Sequence, residues 1–415
     1  MSSTPSAHPN RDVRMRGFSS RVTVAEALQW LDAQLAPLPM EKVALDVAGG
    51  RVLGETICSR VDVPDFRRAM MDGFALHAED TTGASPYNRL SLAVIGQSLP
   101  ACPFPGSVAR GQAVRIMTGA PVPDGADAVL PAEKVEEAAD NIFAQSEVSP
   151  QKNVGAIGED IRRGTTVLDK GRRLRPQDVG VMSSIGVGQA CVVRQPRVRI
   201  VVTGNEILPA GSAARDYRIA DANGPMLAAL VTRDGGLPFD EGIIADDPQA
   251  ILQALRCDAD VVLVSGGSSV GQEDHVPTLL ADHGELAVHG IAMRPSSPTG
   301  MGRLDQRLVF LLPGNPVSCL CAYDFFAGRA VRALGGRNKT WPYHRRTARL
   351  HRKLVSAIGR TDYARVTLRD EQVEPLAISG ASVLSSTTRA DGFVIIPADS
   401  EGYPEGAEVE VFLYE

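Results

Sequence analysis

The sequence predicts a multidomain protein of α/β and β class: a parallel-sheet α/β domain, a β-rich domain, a small linker domain with helices and a C-terminal β-barrel. Three observations predict this fold class. With 415 residues the chain is too long for one hydrophobic core. Strand-like and helix-like segments alternate through 196–335, as in a parallel sheet covered on both faces. Short apolar alternations separated by glycine, proline and aspartate fill 47–160 and return after 340.

Composition and charge exclude several classes of protein. The net charge is −6, and only 5% of the residues are aromatic, so neither a basic face nor a base-stacking platform for nucleic acid is indicated. No apolar run reaches membrane-spanning length, and residues 1–20 lack the hydrophobic core of a signal peptide. We therefore expect a cytoplasmic protein with a disordered tail over 1–20, no nucleic-acid partner and no membrane partner. The six cysteines form no C-x-x-C pair, which favours core packing over a redox or zinc role.

The first ordered element predicted is a helix at about 23–35. Thr23 and Glu26 have the spacing of a capping box, and apolar residues from Val24 to Leu35 share one face. A second helix is expected after Pro176, since proline favours the first helical position. We predict that residues 21–46 and 161–195 form one helical linker domain from two separated segments.

Within the β-rich domain, 47–160, two turns carry polar residues of interest. Asp72 precedes Gly73 in RRAMMDGFAL, and Thr118 ends a strand in RIMTGAPVP ahead of two prolines that fix the loop. From spacing alone, a simple Asp-Gly turn explains Asp72.

The α/β domain, 196–335, gives the strongest functional signal. Its strands are predicted at 198–203, 239–244, 260–265, about 286–293 and 307–312, and its helices at 224–234, 247–257, 274–283 and 316–334. Ligands of parallel sheets bind where the strands end at their carboxyl side. There the third strand runs into Ser265-Gly266-Gly267-Ser268-Ser269 and then a helix, an arrangement that suits an anion, although an ordinary βα loop has the same pattern.

Carboxylates follow three of these strands. Glu206, Asp246 and Asp274 are expected at one edge of the sheet. Because neighbouring carboxylates repel one another, a hard divalent cation such as Mg²⁺ would explain them, and it would bridge them to a phosphate. The alternative is that each carboxylate caps a helix, which fits Asp274 or Asp247 well. Residues 340–415 predict the small β-barrel and show no catalytic constellation.

Taken together, the motifs resemble the molybdopterin molybdotransferases, the MoeA family that includes the E domain of gephyrin. The resemblance runs from about 20 to 415, and its order and spacing agree throughout. It is carried by MDGFA (71–75), RIMTGAPVPDGADAV (115–129), GEDI (158–161), TGNEI (203–207), DANGPML (221–227), SGGSSVG (265–271) with Asp274, and LPGNPVS (312–318).

The resemblance implies a four-domain homodimer whose α/β domain is MogA-like. It implies insertion of molybdate, or tungstate, into adenylylated molybdopterin, with Mg²⁺ bound and AMP released. The preceding adenylyltransferase and apo-molybdoenzymes are implied partners. The implied catalytic residues are Asp72, Thr118 and Asp160 from one subunit and Glu206, Asp246 and Asp274 from the other, with Asp246 and Asp274 holding the metal. The implied substrate pocket comprises Asp221, Asn223, Ser265, Gly266, Gly267, Ser268, Ser269, Gly271, Arg294, Ser297, Pro313, Gly314, Asn315 and Pro316.

The chain also departs from the family pattern at positions that bear on anion binding. Arginines usual before GEDI are replaced by Gly155-Ala156-Ile157, and a KPGKP-like loop has Arg294 and Ser297 in place of its lysines. Arg294 keeps one charge, and Arg67 and Arg68 are candidate substitutes for the others. A non-catalytic or specialised paralogue that carries molybdopterin therefore stays open as the alternative. The related adenylyltransferase step is a third reading, which the four-domain length and the MDGFA and GEDI motifs disfavour.

Overall fold

The computed structural model describes residues 21–267 and 275–414, and this part of the chain divides into two compact units. The first, here the α/β unit, takes in residues before 43, residues 50–52 and everything from 191 on. The second, the β unit, comprises residues 43–49 and 53–190. No helix among the described residues has both the length and the apolar character needed to cross a bilayer.

A six-stranded sheet forms the centre of the α/β unit. In spatial order its strands are Leu237–Ile244, Arg197–Thr203, Val261–Ser265, Arg307–Leu312, Gly300–Leu304 and Glu285–His289. The first four run parallel, and every residue of Val261–Ser265 is buried.

Successive side chains of the strand Arg197–Thr203 enter two different hydrophobic cores, one on each face of the sheet. The Ile200 side chain lies in the cluster with Leu227 and Val231. The next side chain, Val201, lies in the cluster with Ile251 and Leu280. The predicted sheet with both faces covered is thus confirmed.

The helices that cover this sheet begin and end close to their predicted bounds. They are Asn223–Asp234, Pro248–Leu255, Val276–His283, and a continuous run made of Pro316–Ala322, the π-helical segment Tyr323–Ala327 and Gly328–Leu334. The predicted N-terminal helix is present as Val24–Gln34. Its capping box is formed, with the Glu26 N–H donating to the Thr23 hydroxyl oxygen at 3.1 Å and the Thr23 N–H donating to the Glu26 carboxylate at 2.7 Å.

One strand of the sheet was not predicted. Gly300–Leu304 runs antiparallel to both of its neighbours, so the sheet is mixed at this edge and not purely parallel. Glycines are unfavourable in strands by propensity, which made the segment resemble a loop. The close approach of the neighbouring strand explains them, because a Cβ at Gly302 would collide with the backbone carbonyl of Glu285.

The predicted strand at about 286–293 is also divided in two. It ends at His289, and Met293–Arg294 pairs instead with Thr361 and Asp362 of the C-terminal sheet. Arg294 therefore belongs to a different sheet from the strand that precedes it.

The C-terminal strands form a closed ring, which confirms the predicted barrel. In order they are Thr361–Arg369, Gln372–Ala377, His344–Leu350, Glu408–Leu413 and Gly392–Ile396, and the last pairs with the first again. The ring closes at Thr361–Arg369, a nine-residue strand that pairs with both Gln372–Ala377 and Gly392–Ile396.

The β unit is built on a second six-stranded sheet, as the β-rich prediction requires. Its strands in spatial order are Ala128–Pro131, Gly73–Leu76, Gln112–Ile116, Leu90–Ser98, Asn141–Ala144 and Val135–Ala138. Two short pairs belong to the same unit, Arg68–Ala69 with Val154–Gly155 and Ile57–Cys58 with Thr166–Leu168. The helix Pro176–Ser184 begins at the predicted proline.

The remaining elements are short. They are the strands Met40–Ala44, Gln189–Val193, Ile207–Leu208, Ile219–Ala220, Leu354–Val355 and Gly402–Tyr403, the 3-10 turns Leu45–Val47, Ala78–Thr81 and Ala132–Lys134, and the helix Ser385–Thr388. The helix Val24–Gln34 falls in the α/β unit and Pro176–Ser184 in the β unit. The four-domain division, with 21–46 and 161–195 as one domain, stays a prediction.

Candidate functional site

The candidate site in the α/β unit lies where the parallel strands end at their carboxyl side. Gly266 follows the buried strand Val261–Ser265 and has a φ of 102°, a conformation that favours glycine. A Cβ at this position would collide with the carbonyl oxygen of Thr203, which ends the neighbouring strand. Glycine is thus required here because two strand ends approach each other closely.

A cavity of about 350 Å³ opens at these strand ends. Eight of the residues predicted for the site line it: Glu206, Asp221, Asn223, Ser265, Gly266, Gly314, Asn315 and Pro316. Gly267, Asp246, Arg294, Ser297 and Pro313 are not among its lining residues. Ser268, Ser269, Gly271 and Asp274 lie outside the described residues.

Asn223 is the polar centre of this cavity. Its side-chain nitrogen donates to the Ser265 hydroxyl and to the Gly314 carbonyl, both at 2.8 Å, which joins the start of a helix to a strand end and a loop. Its side-chain oxygen Oδ1 is buried and has no hydrogen-bond partner among the described residues. A buried acceptor without a partner is costly, so this oxygen is available to a donor or a cation in the cavity.

Asp221 fixes the start of the helix that carries Asn223. One of its carboxylate oxygens accepts the N–H groups of Asn223 and Gly224, both at 2.9 Å. These two N–H groups are therefore not free to bind an anion.

Asp246 and Asp247 have different roles although they are adjacent. Asp246 accepts hydrogen bonds from the Thr203 hydroxyl and from the Asn205 N–H, the latter at 3.1 Å, so it is fixed to the end of the neighbouring strand. Asp247 is the N-cap of the helix Pro248–Leu255 and accepts from the Gln249 N–H at 3.3 Å. The helix-capping alternative thus holds for Asp247 and not for Asp246. Across 21–267 and 275–414, no three Asp, Glu, His or Cys side chains are grouped so as to hold a metal ion.

Arg294 is paired with a carboxylate that sequence reasoning missed. Its guanidinium forms an ion pair with Asp362, which is fully buried and also accepts from the Ser356 hydroxyl at 2.7 Å. Arg360 Nε lies 3.2 Å from the other oxygen of Asp362. Two guanidinium groups thus share one carboxylate, which leaves a net charge of +1. The Ser297 hydroxyl, three residues after Arg294, is buried without a described partner.

In the β unit, Asp72 and Thr118 are in direct contact. The Thr118 hydroxyl and the Thr118 N–H both donate to one oxygen of Asp72, at 2.6 and 2.7 Å. These hydrogen bonds, the hydroxyl's first and then the backbone's, lower the pKa of the Asp72 carboxyl. Asp72 is therefore more than a turn residue. Asp160 is exposed, and its backbone N–H donates to the Val63 carbonyl at 3.1 Å.

Arg68 lies directly across from Gly155, one of the residues before GEDI. Gly155 and Arg68 are cross-strand partners, and a Cβ at Gly155 would come within 3.2 Å of Arg68 Cγ. The Arg68 guanidinium is paired with Glu159 at 2.7 Å. The neighbouring Arg67 donates to the Ala126 carbonyl at 3.2 Å.

Exposed methionines flank the Asp72–Thr118 pair in sequence. Met70, Met71 and Met117 are 55%, 39% and 48% exposed. Exposed apolar side chains, methionine among them, are enriched on surfaces that contact another molecule.

Models of known protein families match nearly the whole chain. The MoeA N-terminal region (domain I and II) matches residues 22–186, a probable molybdopterin binding domain matches 199–333, and the MoeA C-terminal region (domain IV) matches 347–414.

Whole-chain relatives agree with these models. The chain is 31% identical to a molybdopterin molybdenumtransferase of Staphylococcus aureus strain COL, over 95% of this chain and 96% of the relative. It is 33% identical to molybdopterin molybdenumtransferase 2 of Mycobacterium tuberculosis, over 89% and 94%. A crystal structure of the molybdopterin biosynthesis MoeA protein from Pyrococcus horikoshii matches with a TM-score of 0.79 at 34% identity, covering 95% of this chain and 100% of that one.

Proposed function

The chain belongs to the MoeA family of molybdopterin molybdenumtransferases, enzymes of molybdenum cofactor biosynthesis, and we propose that it inserts molybdate into adenylylated molybdopterin, with Mg²⁺ bound, and releases AMP. The observation that carries this proposal is the cavity at the strand ends. It combines the carboxylates of Glu206 and Asp221 with the Asn223 side-chain oxygen, which accepts no hydrogen bond from the described residues.

The oxygen atoms of Glu206, Asp221 and Asn223 are of the kind that a hard cation prefers. Mg²⁺ prefers carboxylate and amide oxygens, and it keeps several waters while bridging protein to phosphate. Asp246 and Asp274 would hold it, with Asp246 already oriented by Thr203 and Asn205. Bound there, Mg²⁺ would offset the negative charge of the phosphates.

The protein's own residues would position the substrate around this charge. Asn223 would orient the pterin ester through its side-chain oxygen, since the amide nitrogen is held by Ser265 and Gly314. Arg294 and Arg360 supply the positive charge for an oxyanion such as molybdate. Arg68 is the candidate replacement for the missing arginines in the β unit.

The proposed enzyme is a homodimer in which Asp72, Thr118 and Asp160 of one subunit face the strand-end cavity of the other. The exposed methionines beside Asp72 and Thr118 support this, because an apolar surface is stabilised when a second copy covers it. We propose that the enzyme is cytoplasmic. It would receive its substrate from the preceding adenylyltransferase and pass the cofactor to apo-molybdoenzymes.

The deciding experiment incubates the protein with adenylylated molybdopterin, with and without molybdate, and follows AMP release. A transferase releases AMP in a molybdate-dependent manner. A non-catalytic carrier would bind the pterin and release no AMP. The one feature that favours this alternative is the loss of positive charge where Ser297 stands in place of a lysine.

A further inference from the structure

The turn Arg215–Arg218 has an unusual residue at its tip. Arg215 and Arg218 exchange two backbone hydrogen bonds, at 3.3 and 2.8 Å, so the loop between them has only two residues. Both of these, Asp216 and Tyr217, have positive φ, of 51° and 59°. Two-residue turns of this kind strongly favour glycine at the second position, and a bulky side chain there is a rare exception.

Neither backbone preference nor packing explains Tyr217. Its side chain is fully exposed, so its ring gains no stability from burial. Glycine would form the same turn without the steric conflict of a Cβ. The ring of Tyr217 is therefore accessible to a ligand.

The turn is attached to the wall of the strand-end cavity. After it, the Ile219 N–H donates to the Glu206 carbonyl at 2.9 Å, and both residues line the cavity. Tyr217 is two residues from Ile219 along the chain. Arg215 and Arg218 add two positive charges to the turn against the single negative charge of Asp216.

We propose that this turn binds the adenylate part of the substrate, with Tyr217 stacking on the adenine ring and Arg215 and Arg218 attracting its phosphate. The inference rests on the proposed function, which supplies an adenylate at this cavity. Aromatic side chains stack on nucleobases, and guanidinium groups bind phosphate by charge-assisted hydrogen bonds. Tyr217 would thus be a contact residue for substrate and for the product AMP.

The test compares the affinity for AMP with that for ribose 5-phosphate, which lacks the base, by titration calorimetry. We expect the parent to bind AMP about tenfold more tightly than ribose 5-phosphate, because stacking of one base on an aromatic side chain typically contributes an affinity gain of this order. Tyr217→Gly should remove most of that difference without lowering thermal stability, because glycine suits the turn. Tyr217→Phe should keep it. Tyr87→Ala is the matched control, since Tyr87 is the equally exposed tyrosine of the β unit.

Two results would overturn the inference in distinguishable ways. If the parent releases AMP from adenylylated molybdopterin but Tyr217→Gly retains the full preference for AMP, the turn is not the adenine contact and the proposed function stands. If the parent neither releases AMP nor prefers AMP over ribose 5-phosphate, both proposals are wrong.

Discussion

Thr118 donates two hydrogen bonds to a single carboxylate oxygen of Asp72, one from its hydroxyl and one from its backbone N–H. Both stabilise the charged form of Asp72 and lower its pKa. The charged form of Asp72 is therefore favoured, which suits this carboxylate to orient a hydrogen-bond donor and makes it a weaker proton acceptor than an ordinary aspartate.

This contact predicts how the pKa of Asp72 responds to substitution. Thr118→Val removes the hydroxyl donor and keeps the shape, so the pKa of Asp72 should rise towards the ordinary carboxyl value. Thr118→Ser should leave it low. Carboxyl-carbon NMR titration measures the change. An unchanged pKa in Thr118→Val would show that the hydroxyl does not stabilise the charge.

The same contact predicts how the stability of the fold depends on pH. A carboxyl group whose pKa is lower in the folded than in the unfolded protein stabilises the fold above the unfolded pKa, and this contribution is lost as the pH falls through the folded pKa. Thr118→Val should therefore reduce stability near neutral pH relative to the parent, and the difference should vanish at strongly acidic pH.

A second prediction separates the neighbours Asp246 and Asp247. Asp246→Ala, like Asp274→Ala, should abolish Mg²⁺-dependent AMP release and leave the fold intact, because the carboxylate is proposed to hold the cation. Asp247→Ala removes a helix cap and should cost about 1 kcal/mol of stability with AMP release retained. Thermal unfolding and the AMP assay measure the two effects. If Asp246→Ala and Asp274→Ala both released AMP at the rate of the parent protein, the metal assignment would be wrong.

A third prediction concerns assembly. Light scattering at micromolar concentration should show a dimer, and Met70→Asp should weaken it at least about tenfold, or ~1.4 kcal/mol, by placing a charge in an apolar contact. Tyr87→Asp is the control, as an exposed position of the β unit away from the methionines in sequence. A monomeric parent would count heavily against a site shared between subunits.

Much of the site could be predicted because strand ends are a property of local sequence. The apolar run that ends at Ser265 identified a central strand, and the rule that ligands bind at the carboxyl ends of strands then selected Glu206 and the loop that contains Gly314. Asn223 was indicated only by the family resemblance. The capping box of Thr23 was equally local.

Contacts between distant segments could not be predicted in this way. Asp362 lies 68 residues after Arg294, and only the pairing of two strands brings them together. No spacing or periodicity indicates such a pairing. Similarly, the sequence indicates helix capping by Asp247, but no local pattern shows that Asp246 accepts hydrogen bonds from the Thr203 hydroxyl and the Asn205 N–H.

The last prediction follows from the shared carboxylate of Asp362. If Arg294 and Arg360 bind an oxyanion, Asp362 competes with it for both guanidinium groups. Arg294→Ala should weaken apparent molybdate binding by roughly ten- to a hundredfold, the usual cost of losing a charged contact. Ser297→Lys should tighten it by restoring a positive charge. Arg349→Ala, which removes an exposed arginine of the same sheet, should have no effect.

Because Asp362 is buried between the two arginines, Asp362→Asn should also tighten molybdate binding, provided that circular dichroism shows an intact fold. A parent and a Ser297→Lys variant that both release no AMP would exclude the transferase activity, whereas AMP release with unchanged molybdate affinity in Arg294→Ala would exclude this arginine as the oxyanion contact.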